Sequence, residues 1–242
     1  MSRDDLFKTN ANIVGDVMVK IMESKQYPHV AIITNPINSI VPFACKISQL
    51  YDRSDQSVKF TKKIYGITCL DSIRASTFLA NHLGKNPADV VVPVIGGHSD
   101  TTIVPLFSLS NFPVTDLKVV EDLVKQVREA GTRVVEAKKG AGSATLSMAF
   151  AAHRFVSTLT EMYYNKTTSD CAFIYHPSFT NQYGARVCVF DEGCVKDTVP
   201  LESITEYEHK LFIEAEIVLK KDIEKGLEYA DIYALDHPSS HK

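Results

Sequence analysis

Two short apolar runs, HVAIITN (29–35) and KIYGIT (63–68), flank a helical stretch, and they limit the first part of this chain to one class of fold. A short apolar run without polar alternation suits a strand covered on both faces. Such strands are parallel and need a helix to cross between them. Leu6, Ile13, Val17 and Ile21 lie on helical spacing before the first run, with Asp4 and Asp5 suited to a first turn. A second helix passes through Ile40, Ala44 and Ile47. A third covers LDSIRASTFLANHLG, where Gly84 is placed to stop it. Pro36 disfavours helical geometry at Asn35 and sets a turn at the carboxyl end of the first strand. The order helix, strand, helix, strand, helix predicts a parallel α/β sheet.

The rest of the chain reads differently. VVVPVIGGH and TTIVPLFSL are strand-like, 115–139 and 143–165 are helical, and CAFIYHP, ARVCVF and CVKDTV suit antiparallel strands. A long final helix is expected from Ile204 to Ala230. Its stripe of Ile204, Tyr207, Leu211 and Val218 among many Glu and Lys residues places it on the surface. The polar stretch DRSDQSVKFTKK (52–63) is expected to be an exposed loop. The change of style near residue 69 divides the chain into two lobes, 1–68 and 69–242.

A net charge of -3 gives no electrostatic reason to expect a nucleic acid or an anionic membrane as partner. No apolar run is long enough to span a bilayer. Five cysteines without paired metal-ligand spacing fit reduced thiols in a soluble intracellular protein and no metal site. Cytoplasm, mitochondrion and a peroxisome-like organelle all stay open as its compartment.

The residues able to do chemistry fall at strand ends, where open α/β sheets collect ligands. VPVIGGHSD (92–100) runs a buried strand through Gly96 and Gly97 into His98. Asp71 and Arg74 open the helix after the second strand, three apart and so on one face. Asn35 ends the first strand. Histidine exchanges a proton near neutral pH, a carboxylate fixes its tautomer, and arginine grips a carboxylate with two parallel hydrogen bonds. Together they suit proton transfer on a substrate bearing a carboxylate. Each also has an ordinary structural role: Asp71 as a helix-start charge with Arg74 its ion-pair partner, Asn35 as a turn residue, Arg3 as a solvated charge. KKGAGSATLS (138–147) is not a dinucleotide loop, because no strand precedes it and Thr145 stands in place of a third glycine. It reads as a helix start with Ser143 as the cap.

The segments ITNPINSIVP, YGITCLDSIRASTFLA, VPVIGGHSDTTIVPLFS and TRVVEAKKGAGSATLSMAFAA together resemble the NAD-dependent malate dehydrogenases of the dimeric mitochondrial and bacterial branch. The likeness runs nearly end to end. It implies an α/β fold, the remnant of a Rossmann parallel sheet in 1–68 followed by an α+β lactate/malate dehydrogenase catalytic domain in 69–242. It also implies reversible NAD-dependent oxidation of (S)-malate to oxaloacetate, a small dicarboxylate as substrate, and a homodimer. At matching positions the resemblance makes His98 the acid/base and Asp71 the carboxylate that orients it. Arg74 and Arg3 become substrate-binding arginines, and Asn35 a contact for substrate and cofactor. Asn10, Ile33, Thr34 and Met148 become cofactor-lining positions. The family's first βαβαβ half, with its glycine-rich phosphate loop, has no counterpart in this sequence, so the truncated chain alone is expected to bind NAD poorly and turn over slowly. Asp100 stands where the family usually has glycine. Two other readings follow from these departures: a related 2-hydroxy acid dehydrogenase of altered specificity, and a catalytically dead paralogue acting as an interaction subunit.

Overall fold

The first expected strand forms as β1 (Val30–Ile32) and pairs in parallel with β2 (Ile64–Ile67), Val30 opposite Ile64 and Ile32 opposite Gly66. In the computed structural model, residues 3–139, 142, 144–164, 166–191, 193–198, 200 and 204–238 are described. They form two compact units. The first is Met1–Gly66 with Phe173–Gly184 and Leu219–Lys242, and the second is Ile67–Ala172 with Ala185–Val218.

In the first unit, α1 (Arg3–Ser24) precedes β1, and α2 (Ile37–Tyr51) follows it. The face α1 buries is not the expected one. Phe7, Ala11, Met18 and Met22 are buried, while Leu6, Ile13 and Val17 are exposed. This helix carries two apolar stripes. The core takes the one that includes Gly15, because a side chain there would run into the ring of Tyr233. Tyr233 also donates to Asp16 at 2.6 Å and Tyr229 to Asn12 at 2.9 Å.

The stretch 52–63 is likewise not a plain loop. It forms α3 (Asp55–Phe60) and a 3-10 turn over Thr61–Lys63. Phe60 is buried edge-on against Tyr27, with ring centroids 5.6 Å apart. Tyr27 donates to the buried carboxylate of Asp52, which Lys25 pairs at 3.2 Å. The Tyr27 hydrogen bond and, after it, that of the Ser54 N–H hold that carboxyl well below the usual carboxylate range.

The second unit begins with α4 (Cys69–Leu83), which Gly84 ends in the left-handed conformation at φ 64. Here β3 (Val94–Gly96) and β4 (Ile103–Pro105) pair antiparallel, and β3 meets β6 (Tyr183–Asp191) at Gly96 opposite Ala185. The strand β5 (Thr168–Tyr175) precedes β6, and β7 (Cys194–Thr198) pairs antiparallel with β6. Asp116 caps α5 (Leu117–Ala137) by accepting from the N–H groups of Lys118 and Val119. The core joins Leu79 of α4, Val92, Ile95 and Val104 around the strands, Val124 and Val127 of α5, and Leu211 and Ala215 of α7 (Glu206–Asp236).

That last helix runs six residues past the expected Ala230. Its buried line is Leu211, Ala215, Leu219, Ile223, Ala230 and Tyr233, whereas Val218 is 36% exposed. Alanines carry little weight in a hydrophobic pattern, so the sequence favours the bulkier but wrong neighbour. In α6 (Leu146–Tyr163), the residue before the helix is Thr145, and the expected cap Ser143 lies outside the described residues. Among the described residues no helix is long and apolar enough to cross a membrane. All five cysteines are free thiols, four of them buried. Burial pushes Cys45 up to about 12 and Cys171 up to about 11.

Candidate functional site

The paired glycines before His98 have a local cause. Gly96 takes φ +92, and a Cβ there would stand 2.2 Å from the carbonyl oxygen of Thr102. The Gly97 N–H donates to that same carbonyl at 2.9 Å. Thr102 is fully buried and closes the turn. Its N–H donates to the Ser99 carbonyl at 2.8 Å, and the Ser99 N–H donates to its hydroxyl at 3.0 Å. A backbone this tight admits only glycine at 96, and it fixes where His98 starts.

Asp71 lies in the first turn of α4 with its side chain wholly buried. Its Oδ2 is 2.6 Å from His98 Nδ1. A carboxylate oxygen only accepts, so Nδ1 carries the hydrogen and donates it in a short, charge-assisted bond. Arg74 follows one helical turn later, its Nη1 3.5 Å from Asp71 Oδ1 and its side chain 16% exposed. Burial pulls the proton affinity of His98 down. The charge of Asp71 and its hydrogen bond push it up by more, so the pKa stands above the ordinary value of 6.5. His98, Asp71 and Arg74, 27 residues apart at most, are thus brought together. An imidazole held in one tautomer beside a guanidinium can pass a proton to or from a carboxylate-bearing substrate.

Met148 sits half-buried in the first turn of α6. That helix is tied to α4 by the Cys69 thiol, which donates to the Ala151 carbonyl at 3.3 Å. Ile33, Thr34 and Asn35 follow β1 in the first unit, and Asn10 Nδ2 donates to the Asn35 carbonyl at 2.7 Å. The Arg3 side chain lies outside the described residues.

The β1–α2 connection allows a test of fit to a nicotinamide cofactor. Ile33 is 39% exposed at the carboxyl end of a parallel strand and is followed in sequence by the hydroxyl-bearing Thr34 and the amide-bearing Asn35, whose carbonyl accepts from Asn10. These groups suit an aromatic ring and its ribose. The same connection has no glycine to admit a pyrophosphate. Among the described residues, no group of three or more His, Cys, Asp or Glu is placed to hold a metal.

Sequence reading passed over Ser99 and Thr102, which lock the turn. The available signal was a pair of hydroxyls three apart directly after the histidine. It also passed over the buried Asp170, which Arg154 grips with two hydrogen bonds of 2.9 Å. That pair has no local signature.

Comparison with known proteins adds a separate line of support. The family model described as the lactate/malate dehydrogenase alpha/beta C-terminal domain matches residues 68–230, and that of the NAD binding domain of the same family matches residues 1–54. Mitochondrial malate dehydrogenase of Rattus norvegicus is 38% identical over 234 residues, which cover 95% of this chain and 67% of the rat protein. Malate dehydrogenase of Idiomarina loihiensis is 36% identical over 230 residues, covering 95% and 73%. The crystal structure of Cryptosporidium parvum malate dehydrogenase superposes with a TM-score of 0.77 at 22% identity, over 95% of this chain and 73% of that one. At that identity it speaks for the fold: a Rossmann-type N-terminal portion followed by the family's C-terminal domain.

Proposed function

Because the chain belongs to the lactate/malate dehydrogenase family, we propose that it interconverts (S)-malate and oxaloacetate, with His98 as the acid/base. NAD is the cofactor of the family, whose NAD binding domain residues 1–54 match in part. The observation that carries the proposal is the 2.6 Å bond between His98 Nδ1 and Asp71 Oδ2, with Arg74 one helical turn away.

When bound, NAD supplies the acceptor for the hydrogen and electron pair that leave the substrate's carbinol carbon. The chain's own residues do the rest. With Nδ1 committed to Asp71, Nε2 of His98 takes the hydroxyl proton, and Asp71 stabilises the imidazolium that results. Arg74 grips the substrate carboxylate through two parallel hydrogen bonds. In the reverse direction His98 returns the proton to the carbonyl oxygen, and Arg3 polarises that carbonyl. Asn35 orients the substrate. In this reading Asn10, Ile33, Thr34, Asn35 and Met148 are the cofactor-lining positions. We keep residues 1–68 as the cofactor portion and 69–242 as the catalytic portion.

The chain further acts as a homodimer in this reading. Exposed apolar side chains support it: Leu6, Ile13 and Val17 on α1, and Leu146, Phe150 and Val156 on α6. Asp100 favours a second reading, a 2-hydroxy acid dehydrogenase of altered specificity, because it adds negative charge beside the site. Steady-state assays with oxaloacetate, pyruvate and an aromatic 2-oxo acid test both. Preference for oxaloacetate, even at slow turnover, supports malate dehydrogenation, preference for another acid supports the second reading, and no turnover with any of them overturns both in favour of a catalytically dead paralogue.

A further inference from the structure

Gly96, from which the turn carrying His98 departs, has a strand on each side. Across β3 and β4 it faces Ile103, and across β3 and β6 it faces Ala185. The carbonyl of each facing residue is held by a guanidinium. Arg128 of α5 donates from Nε to the Ile103 carbonyl at 2.9 Å, and Arg186 donates from Nη1 to the Ala185 carbonyl at 2.8 Å. We propose that Arg186 and Arg128 are positioning residues of the acid/base centre, two clamps that fix the strands beside Gly96 and so hold His98 Nδ1 at bonding distance from Asp71. This rests on the reading of His98 as acid/base.

The glycine is what makes such clamps useful. At φ +92 and without a side chain, Gly96 has no packing of its own to fix it, so its place is set by the strands it pairs with. Arg186 is buried and is itself fixed from α7. Its Nη2 lies 3.7 Å from the Glu216 carboxylate, and its guanidinium lies over the Phe212 ring at 4.7 Å. Arg128, half-buried on α5, reaches β4 from the other side. A charged donor makes the stronger kind of hydrogen bond, and a planar fork holds direction as well as distance. A buried ion pair adds little stability compared with apolar residues of similar size. Holding the strand therefore accounts for the burial of Arg186 and Glu216 better than stability does. The demand at the site is strict, because an acid/base pair needs its members held to within about 0.5 Å by the contacts behind them. His98 follows β3, whereas Asp71 belongs to α4, and the bond between them spans 2.6 Å. A shift of β3 against α4 stretches that bond directly.

The test follows the Nδ1 proton of His98 by NMR in the full chain, its resonance identified by loss in His98→Gln. Arg186→Met combined with Glu216→Leu removes one clamp and leaves neither partner of the ion pair buried alone. The proposal expects this double variant, folded, to move the resonance upfield as the bond to Asp71 lengthens. Arg128→Met should move it the same way by less, its guanidinium being half-buried. Arg186→Lys keeps a charged donor and should fall between the unaltered chain and the double variant. Arg154→Met combined with Asp170→Leu removes another ion pair of the same unit, on α6 and β5, and should leave the resonance in place. For reduction of oxaloacetate, kcat of the Arg186 double variant should fall about tenfold with KM little changed, since Arg74 is untouched. An unmoved resonance in the Arg186 double variant overturns the proposal, as does an equal shift in the Arg154 double variant. Where the Arg186 double variant fails to fold, an unmoved resonance in both Arg128→Met and Arg186→Lys overturns it. The resonance needs no turnover, so it decides the role of the two arginines even if the substrate assays fail.

Discussion

The two units present their candidate site residues in opposite ways. In the second, His98 is nearly buried on a turn closed by backbone and hydroxyl contacts of Ser99 and Thr102, and its partner Asp71 is wholly buried. In the first, Ile33 and Asn35 are exposed beyond a three-residue strand, and the Asn10 side chain donates to the Asn35 carbonyl. The difference matches what the proposed function asks of each part. An acid/base gains from dipoles and charges fixed before the reaction begins. A surface that takes up and releases a cofactor gains from open, lightly held groups.

The largest break in this contrast should come from Asp71→Asn. Turnover should fall by about 10²–10⁴-fold in steady-state assays, because the imidazole loses both its tautomer lock and its charge partner. The same variant should change stability against pH. The proton affinity of His98 is higher folded than unfolded, so the native state holds the extra proton between 6.5 and the raised folded value. The stability gained from the pair is therefore complete below 6.5 and is lost as pH rises through the folded value. Thermal unfolding across that window should show the fall in the unaltered chain and a flatter profile in Asp71→Asn.

Gly96→Ala should act next in size. It forces a Cβ toward the Thr102 carbonyl at a positive φ, costing roughly 2–4 kcal/mol in denaturant unfolding. Asn10→Ala should do least. It removes one exposed hydrogen bond, worth about 0.5–1.5 kcal/mol, so NAD affinity should weaken several-fold by calorimetry while the His98 titration stays in place.

Legibility in the sequence follows the same division between local and distant causes. The parallel β1–β2 pair, the stop at Gly84 and the glycine turn before His98 all have local signatures, and all form where the sequence places them. The helix α3 escaped because its buried side chains, Ser57 and Phe60, span less than one turn. That is too short for a periodicity to register. The helix α1 forms where its spacing places it, but its sequence carries two apolar stripes, and the buried one packs Tyr233 against Gly15, a contact between distant segments. For the site, resemblance to a family supplied the partners that spacing alone left open. The contact of Asp71 with His98 joins two elements and has no expression in either one.

The account turns on proton exchange at one imidazole, and His98→Gln measures it most directly. With (S)-malate as substrate, NAD reduction by the full chain is predicted to fall by at least about a hundredfold in the variant, with NAD affinity by calorimetry little changed. Equal rates of NAD reduction in the variant and the unaltered chain would contradict it.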